Sequence, residues 1–223
     1  MLQTKSKKIT VYIFLFFIIG TFNNKNLYNI KLAKVNEIKV SGLEKKDNLE
    51  LKNSIDLLEI DNLFFLKKTQ IKKKIDLNNL VEEYYVFKKY PQTLEIKINK
   101  TKILAQLKKN GESFLLGSNG RLIEKDLTNY NVPFIFGNFK NKNFFELRNA
   151  INKTDFDYNE IENLFFFKSG RWDIETKKGL LIKLPKNNLK ESLELLVRIL
   201  NQKKEKKISI IDLRQKNQVI LNG

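Results

Sequence analysis

The chain alternates between three textures of apolar spacing. The first is one unbroken run, Ile9 to Phe22 (ITVYIFLFFIIGTF), with no charge between Lys8 and Lys25. From Val35 the spacing becomes two: Ile38 and Val40 point one way, Glu37 and Lys39 the other, and Ser41-Gly42 closes the strand. A helix follows, with Asp47 as its N-cap and Glu50 three residues on, carrying Leu51, Ile55 and Leu58 on one face. After Asn62-Leu63-Phe64 a second helix sets Ile71 and Ile75 inward and Lys72, Lys73 and Lys74 around the solvated side. Tyr84–Phe87 and Thr93–Ile98 then form a hairpin turning at Lys89–Gln92, with Leu94, Ile96 and Ile98 alternating against Glu95 and Lys97. The order β-α-α-β-β predicts a small sheet with two helices on one face, near the lower size limit of a domain.

Past Thr101 the third texture begins, short strands separated by turn residues. Ile103–Leu107, Phe114–Leu116 and Leu122–Ile123, with Asn110-Gly111 and Ser118-Asn119-Gly120 between them, read as a meander. Val132-Pro133 and Gly137 precede a helix capped by Asn143 with Glu146, bearing Leu147 and Ile151. Arg171–Glu175 and Leu180–Leu184 read as strands around Lys177-Lys178-Gly179. A helix opening at Asn188 presents Leu189, Leu193, Leu196, Val197 and Leu200 as an apolar stripe, too short for sustained heptads and read as core packing. Ile208–Ile211 and Gln218–Leu221 are the last strands. The fold class is α+β: a single amino-terminal transmembrane helix, a β-α-α-β-β domain, then a β-rich domain with flanking helices. The expected division is 1–8 as a cytoplasmic tail, 9–25 as the span, 26–34 as a linker, and 35–101 and 102–223 as the two domains.

The apolar run is short. Its 14 residues make a helix of about 21 Å against a hydrocarbon layer of about 30 Å, a length that also suits the core of a cleavable signal. Gly20, Thr21 and Phe22 put an aromatic where a cleavage site needs a small residue, which favours a retained anchor over a cleaved signal or a buried core helix. Lys5, Lys7 and Lys8 place the amino terminus in the cytoplasm and the rest outside.

Charge changes the picture less than its size suggests. The formal charge is +17, yet all but Arg121, Arg148, Arg171, Arg198 and Arg214 of the 42 basic residues are lysines spread along the chain. Nucleic-acid readout favours clustered arginine, so nucleic acid is not expected as a partner. Compositional drift accounts for the lysines best, with weak attraction to anionic lipid or wall polymer second. The absence of Cys and His removes disulfides, thiol nucleophiles, Cys/His metal sites and the usual general base. Asp155, Asp157, Glu160 and Glu162 read as a solvated loop or helix start, and the Lys168-Ser169 pair is a chance adjacency in so lysine-rich a chain. No phosphate-binding glycine loop or nucleophile elbow occurs. No enzyme, cofactor or metal is therefore expected.

Several segments in collinear order resemble one family. VNEIKVSGL (Val35–Leu43), NLFFL (Asn62–Leu66), LVEEYYVFKKYPQTLEIKINKTKILAQ (Leu80–Gln106), FLLGSNGRLIE (Phe114–Glu124), VPFIFG (Val132–Gly137), RWDIETKKGLLIKLP (Arg171–Pro185) and IIDLRQKNQVIL (Ile210–Leu221) are similar to successive landmarks of the FtsQ/DivIB cell-division family, closest to FtsQ. The resemblance implies a POTRA-like first domain and a family-type β-domain. It also implies a bitopic inner-membrane scaffold at the division septum that joins early and late division proteins and binds FtsB and FtsL. Two positions depart from the pattern: Gly117 stands where Asp is common, and Gln215 follows Arg214 where Tyr is frequent. The carry-over places partner binding at Arg171, Arg214, Gln215, Asn217, Val219 and Leu221, because a terminal strand can leave an edge open to an added strand. A POTRA-bearing transport or secretion component and a peptidoglycan-acting enzyme are the alternatives.

Overall fold

The computed structural model describes residues 3–22, 33–124, 130–202, 208–215 and 218–222. Helix α1 covers Gln3–Phe22. The first globular unit comprises β1 (Glu37–Ser41), α2 (Lys45–Asp56), α3 (Lys68–Asp76), β2 (Val81–Lys89) and β3 (Thr93–Lys100). Its sheet has the order β1-β3-β2, with β1 parallel and β2 antiparallel to the central β3. Leu94, Ile96 and Ile98 are buried on one face of β3, as their alternation predicts, and meet Leu51 and Ile55 of α2 and Ile71 and Ile75 of α3.

The start of α2 differs from the sequence expectation. The N-cap position is Glu44 rather than Asp47. Asn48 closes the entry instead, accepting from Leu43 N at 3.1 Å and donating to Leu43 O at 2.9 Å. A side chain one turn into the helix thus holds the strand-to-helix corner, and Leu58 lies beyond the helix end.

The second unit is a nine-stranded sheet of order β12-β11-β10-β9-β8-β7-β4-β5-β6. Its strands are β4 (Ile103–Lys109), β5 (Glu112–Gly117), β6 (Leu122–Ile123), β7 (Phe134–Phe136), β8 (Ile161–Phe166), β9 (Trp172–Thr176), β10 (Leu181–Lys183), β11 (Ile210–Asp212) and β12 (Ile220–Asn222). Helices α4 (Asn141–Asn152) and α5 (Leu189–Gln202) supply Phe144, Leu147, Ile151, Leu193 and Leu196 to a core completed by Ile135, Leu164, Trp172, Ile174, Ile182 and Ile211. The leucine stripe of α5 is core, as expected. Helix α4 begins two residues before the anticipated cap; Asn143 lies inside its first turn and accepts from Lys140 N at 3.1 Å. Strands β7 and β8 were not anticipated. β7 is a three-residue apolar run paired in parallel on both sides, and β8 is broken by Glu162 and Asn163 with a register shift, so neither shows clean alternation.

The two units join through polar contacts. Arg121 donates to Asp76 O at 2.7 Å and covers the carboxyl end of α3, where unpaired carbonyls and the helix dipole favour a cation. Asn119 donates to Asn79 O and Val81 O. Glu82 accepts from Thr101 Oγ1 at 2.7 Å and Ser118 Oγ at 2.8 Å. Gly117 now has a structural reason: an added Cβ would lie 2.7 Å from Asn119 Oδ1 and 2.8 Å from Thr101 Oγ1, crowding this network.

The expected transmembrane span is not found as such. Helix α1 has 20 residues, but no helix among the described residues is long and apolar enough to cross a membrane. The reason is its composition, since Lys5, Lys7 and Lys8 lie within it and only Ile9–Phe22 is continuously uncharged. Residues 23–25 of the expected span and 26–32 of the expected linker lie outside the described residues.

Gly42 closes β1 at φ +111°, and a Cβ there would lie 1.8 Å from the Ile98 carbonyl oxygen. Gly179 also has positive φ but meets nothing within 4 Å. In urea unfolding, Gly42→Ala is expected to cost about 3 kcal/mol or more, because backbone must move, and Gly179→Ala only the ~1 kcal/mol of a left-handed alanine. Equal costs would contradict the close approach of β1 to β3.

Candidate functional site

The residues singled out near the carboxyl end are brought together from three strands. β10 lies between β9 and β11, and its Lys183 is in register with Asp173 on one side and Asp212 on the other. Trp172 and Ile174, Ile182, and Ile211 and Leu213 turn into the core. The alternation of a strand then sends Arg171 and Asp173, Lys183, and Asp212 and Arg214 to the opposite face. The two arginines therefore flank one Asp-Lys-Asp row, on strands about 10 Å apart.

The two ion pairs differ in quality. Arg214 grips Asp212 with both Nε and Nη2, at 2.9 Å (Nε to Oδ1) and 2.5 Å (Nη2 to Oδ2), and its backbone N–H donates to the same carboxylate at 3.0 Å. The hydrogen bonds from Arg214 hold the Asp212 carboxyl below its usual value, against the opposing effect of burial. Arg171 Nε stands 3.5 Å from Asp173 Oδ1, an ion contact rather than a hydrogen bond, and neither buried atom has a hydrogen-bond partner among the described residues. Burial pushes the Asp173 carboxyl up, with Arg171, Lys183 and Arg214 opposing it. The Arg171 guanidinium also lies 4.1 Å from the centre of the Phe167 ring, which supports its plane.

The sheet ends at β12, which pairs antiparallel with β11 through Ile210–Asn222, Ile211–Leu221 and Asp212–Ile220. Among the described residues no strand pairs with its outer side. The six sequence-selected residues separate here. Arg171 and Arg214 sit on the charged face. Gln215 is exposed beyond β11 and lines, with Glu191, Ser192, Leu195, Leu213 and Arg214, a groove of about 480 Å³. Val219 and Leu221 are half-buried and pack against the core, so their side chains turn mainly inward. Asn217 lies outside the described residues. Sequence reasoning missed Ile220, which is 55% exposed on the edge strand; the alternation that buries Leu221 requires its neighbour to face out. It also missed Asp173, Lys183 and Asp212, whose register is a property of the pairing alone.

Other chemistry is sparse. No group of three or more carboxylates suited to a metal ion occurs among the described residues. Asp157 caps a 3₁₀ turn at Tyr158–Glu160 by accepting from Asn159 N at 2.8 Å, and Glu160 pairs with Lys178 at 3.3 Å, so both carboxylates have local structural partners.

Two family models match the chain: the POTRA domain, FtsQ-type, over residues 33–101 and the C-terminal region of cell division protein FtsQ/DivIB over residues 105–214. Cell division protein FtsQ of Rickettsia bellii is 24% identical over 187 residues, 82% of this chain and 70% of that protein. Cell division protein DivIB of Clostridium botulinum is 31% identical over 124 residues, 55% of this chain and 47% of that one. The solved major extracytoplasmic domain of DivIB from Geobacillus stearothermophilus matches 49% of this chain and 99% of that chain at 13% identity with a TM-score of 0.36, too weak a likeness to bear on the fold.

The opposite environments of the two aspartates are measurable. In a carboxyl NMR titration Asp173 is expected to titrate above, and Asp212 below, the usual aspartate value of about 3.9. Asp212, lowered in the folded chain, adds stability above its unfolded value that is lost as pH falls through the folded one. Asp173, raised, binds its proton more tightly when folded, so stability rises as pH falls through its folded value. Asp212→Asn and Asp173→Asn should each remove one of these opposed slopes. A titration order with Asp173 below Asp212 would contradict the cluster.

Proposed function

Because this chain belongs to the FtsQ/DivIB family of cell-division proteins, we propose that it is a non-catalytic scaffold of the division machinery. It is held in the inner membrane by α1 and captures FtsB/FtsL-type partners outside the cytoplasm through the free edge of β12. The observation that carries the reading is the conjunction at one sheet end of an unpaired strand edge with two guanidinium groups fixed on the neighbouring face. A partner strand laid along β12 gains main-chain hydrogen bonds, each worth about 0.5 to 1.5 kcal/mol net. A partner carboxylate reaching Arg214 or Arg171 meets a guanidinium whose orientation is already set by Asp212 or by Phe167, so less ordering cost falls on binding. Main-chain pairing does not need the side chains of Val219 and Leu221, and Ile220 joins the proposed contact in their place.

What supports the membrane role of α1 is its surface. Tyr12, Phe14, Phe16, Phe17 and Ile19 are all exposed, and apolar side chains point in every direction around the helix. A helix apolar all round needs a protein core or lipid, and snorkelling of Lys7 and Lys8 lengthens the reach of its uncharged part. The POTRA-type unit and the β-rich unit then stand in the periplasm at the septum.

Two outcomes follow. A periplasm-active reporter fused after Gly223 is expected to be active, and activity only in the cytoplasm would overturn the orientation. Arg214→Glu, checked to be folded, should weaken capture of an FtsB-type partner by about tenfold or more in a direct titration, as loss of a hot-spot arginine does. Deleting residues 216–223 should weaken it further by removing the edge. Folded variants that bind like the parent would move the site away from β12.

A further inference from the structure

We propose that the end of the POTRA-type unit opposite the β-rich unit is a tip that seats in the interfacial zone of the lipid bilayer, an inference that rests on α1 being the membrane anchor. Strand polarity separates the two ends of this unit. β1 leaves its amino end beside the β2–β3 turn, where Asn36 N donates to Gln92 O at 3.0 Å. α2 runs back toward that end, and Val35, Asn36 and Ile38 share a cavity with Asp56, Glu59 and Ile60. α3 starts there and finishes at the far end, where Asp76 O meets Arg121 of the β-rich unit. The near end is therefore where the chain arrives from α1 and points away from the β-rich unit.

Large apolar side chains gather at this end without cover among the described residues. Phe64 is 59%, Phe65 77% and Tyr90 56% exposed, and Leu57, at the close of α2, is 79% exposed. Phe64 and Tyr90 come from different loops, yet their rings meet at 4.7 Å, so the patch is preassembled. The neighbouring Leu63 is fully buried and anchors the loop, while Asn62 Oδ1 accepts from Phe65 N at 3.0 Å and fixes the turn that presents the two rings. Lys67 and Lys68 follow directly in sequence. Asp56, Glu59 and Asp61 gather with Lys34 on the flank lined by that cavity, so the aromatic flank with its two lysines is the one turned to lipid.

Chain length names the occupant. Ten residues, 23–32, connect the end of α1 to the described start of the unit, and ten residues reach at most about 36 Å. Any surface at this end is thus confined near the bilayer for the life of the protein. Aromatic rings with flanking lysines are the composition that partitions into the zone between headgroups and acyl chains. Two-point attachment, by α1 and by the tip, would fix the tilt of the whole periplasmic part over the membrane.

The chain has no cysteine, so single sites can be labelled. Full-length Phe65→Cys, Leu77→Cys and Phe16→Cys, each carrying one environment-sensitive dye, are placed in nanodiscs of phosphatidylcholine and phosphatidylglycerol containing nitroxide lipid. Leu77 matches Phe65 in exposure, at 79%, but lies at the far end of the unit. The expected result is lipid quenching at least threefold stronger at position 65 than at 77, lost in the additional presence of Phe64→Ser and Lys67→Glu. Equal quenching at 65 and 77 with strong quenching at 16 overturns the tip and leaves the anchor standing. Quenching at 65 without quenching at 16 overturns the anchor and with it the tether on which the tip rests, and quenching at neither overturns both. A lipid-independent blue shift at 65, as a second copy or a protein partner would produce, also overturns the proposal.

Discussion

An open sheet must end twice, and how each end is closed governs this molecule. The nine-stranded sheet presents β6 at one edge and β12 at the other. At β6 the edge is occupied: Asn79 donates to Leu122 O at 2.8 Å, and the turn before the strand is locked to the first unit through Asn119 and Arg121. Pairing there would require dismantling the junction. Of the two edges of this sheet, β12 is the one left without a neighbouring strand or junction among the described residues, so the contact that joins the two units is also what makes the two edges unequal.

The charged row beside that edge is built with an asymmetry. Asp212 is clasped by one arginine and favours its charged form, whereas Asp173 is buried beside a guanidinium that does not quite reach it. Removing a partner from a buried charge is costly. The strong clasp therefore rigidifies the end of β11, while the loose one leaves hydrogen-bonding capacity on Arg171 and Asp173 unused among the described residues. Lys183 between the two carboxylates keeps them from repelling each other across β10.

Much of the fold was legible because burial and local chemistry agreed. Ile71 and Ile75, Leu94, Ile96 and Ile98, and Leu193 and Leu196 of α5 each declare a period, and each is buried accordingly. The failures share a cause. β7 and β8 take their pairing from strands far off in sequence, and the corners of α2 and α4 are held by Asn48 and Asn143 from within the helices rather than by a residue ahead of them. At the candidate site the arginines were named through resemblance to a family. Their carboxylate partners and the outward turn of Ile220 depend on register, which no local pattern records.

The sheet order also sets a path for mechanical load. A pull received at β12 crosses β11, β10, β9, β8 and β7 sideways before it reaches β4, which Thr101 and Lys102 connect directly to β3 of the first unit. Those lateral couplings are uneven: β11 and β12 share three paired residues and β4 and β7 only two, while β4 and β5 share six. Hydrogen-bonded ladders that short yield first when peeled and hold best when sheared along the strand. Tension delivered along β12 would therefore travel through the molecule, whereas tension delivered across the sheet would open the two-residue ladder between β4 and β7 before the three-residue outermost one, making the middle of the sheet its fuse.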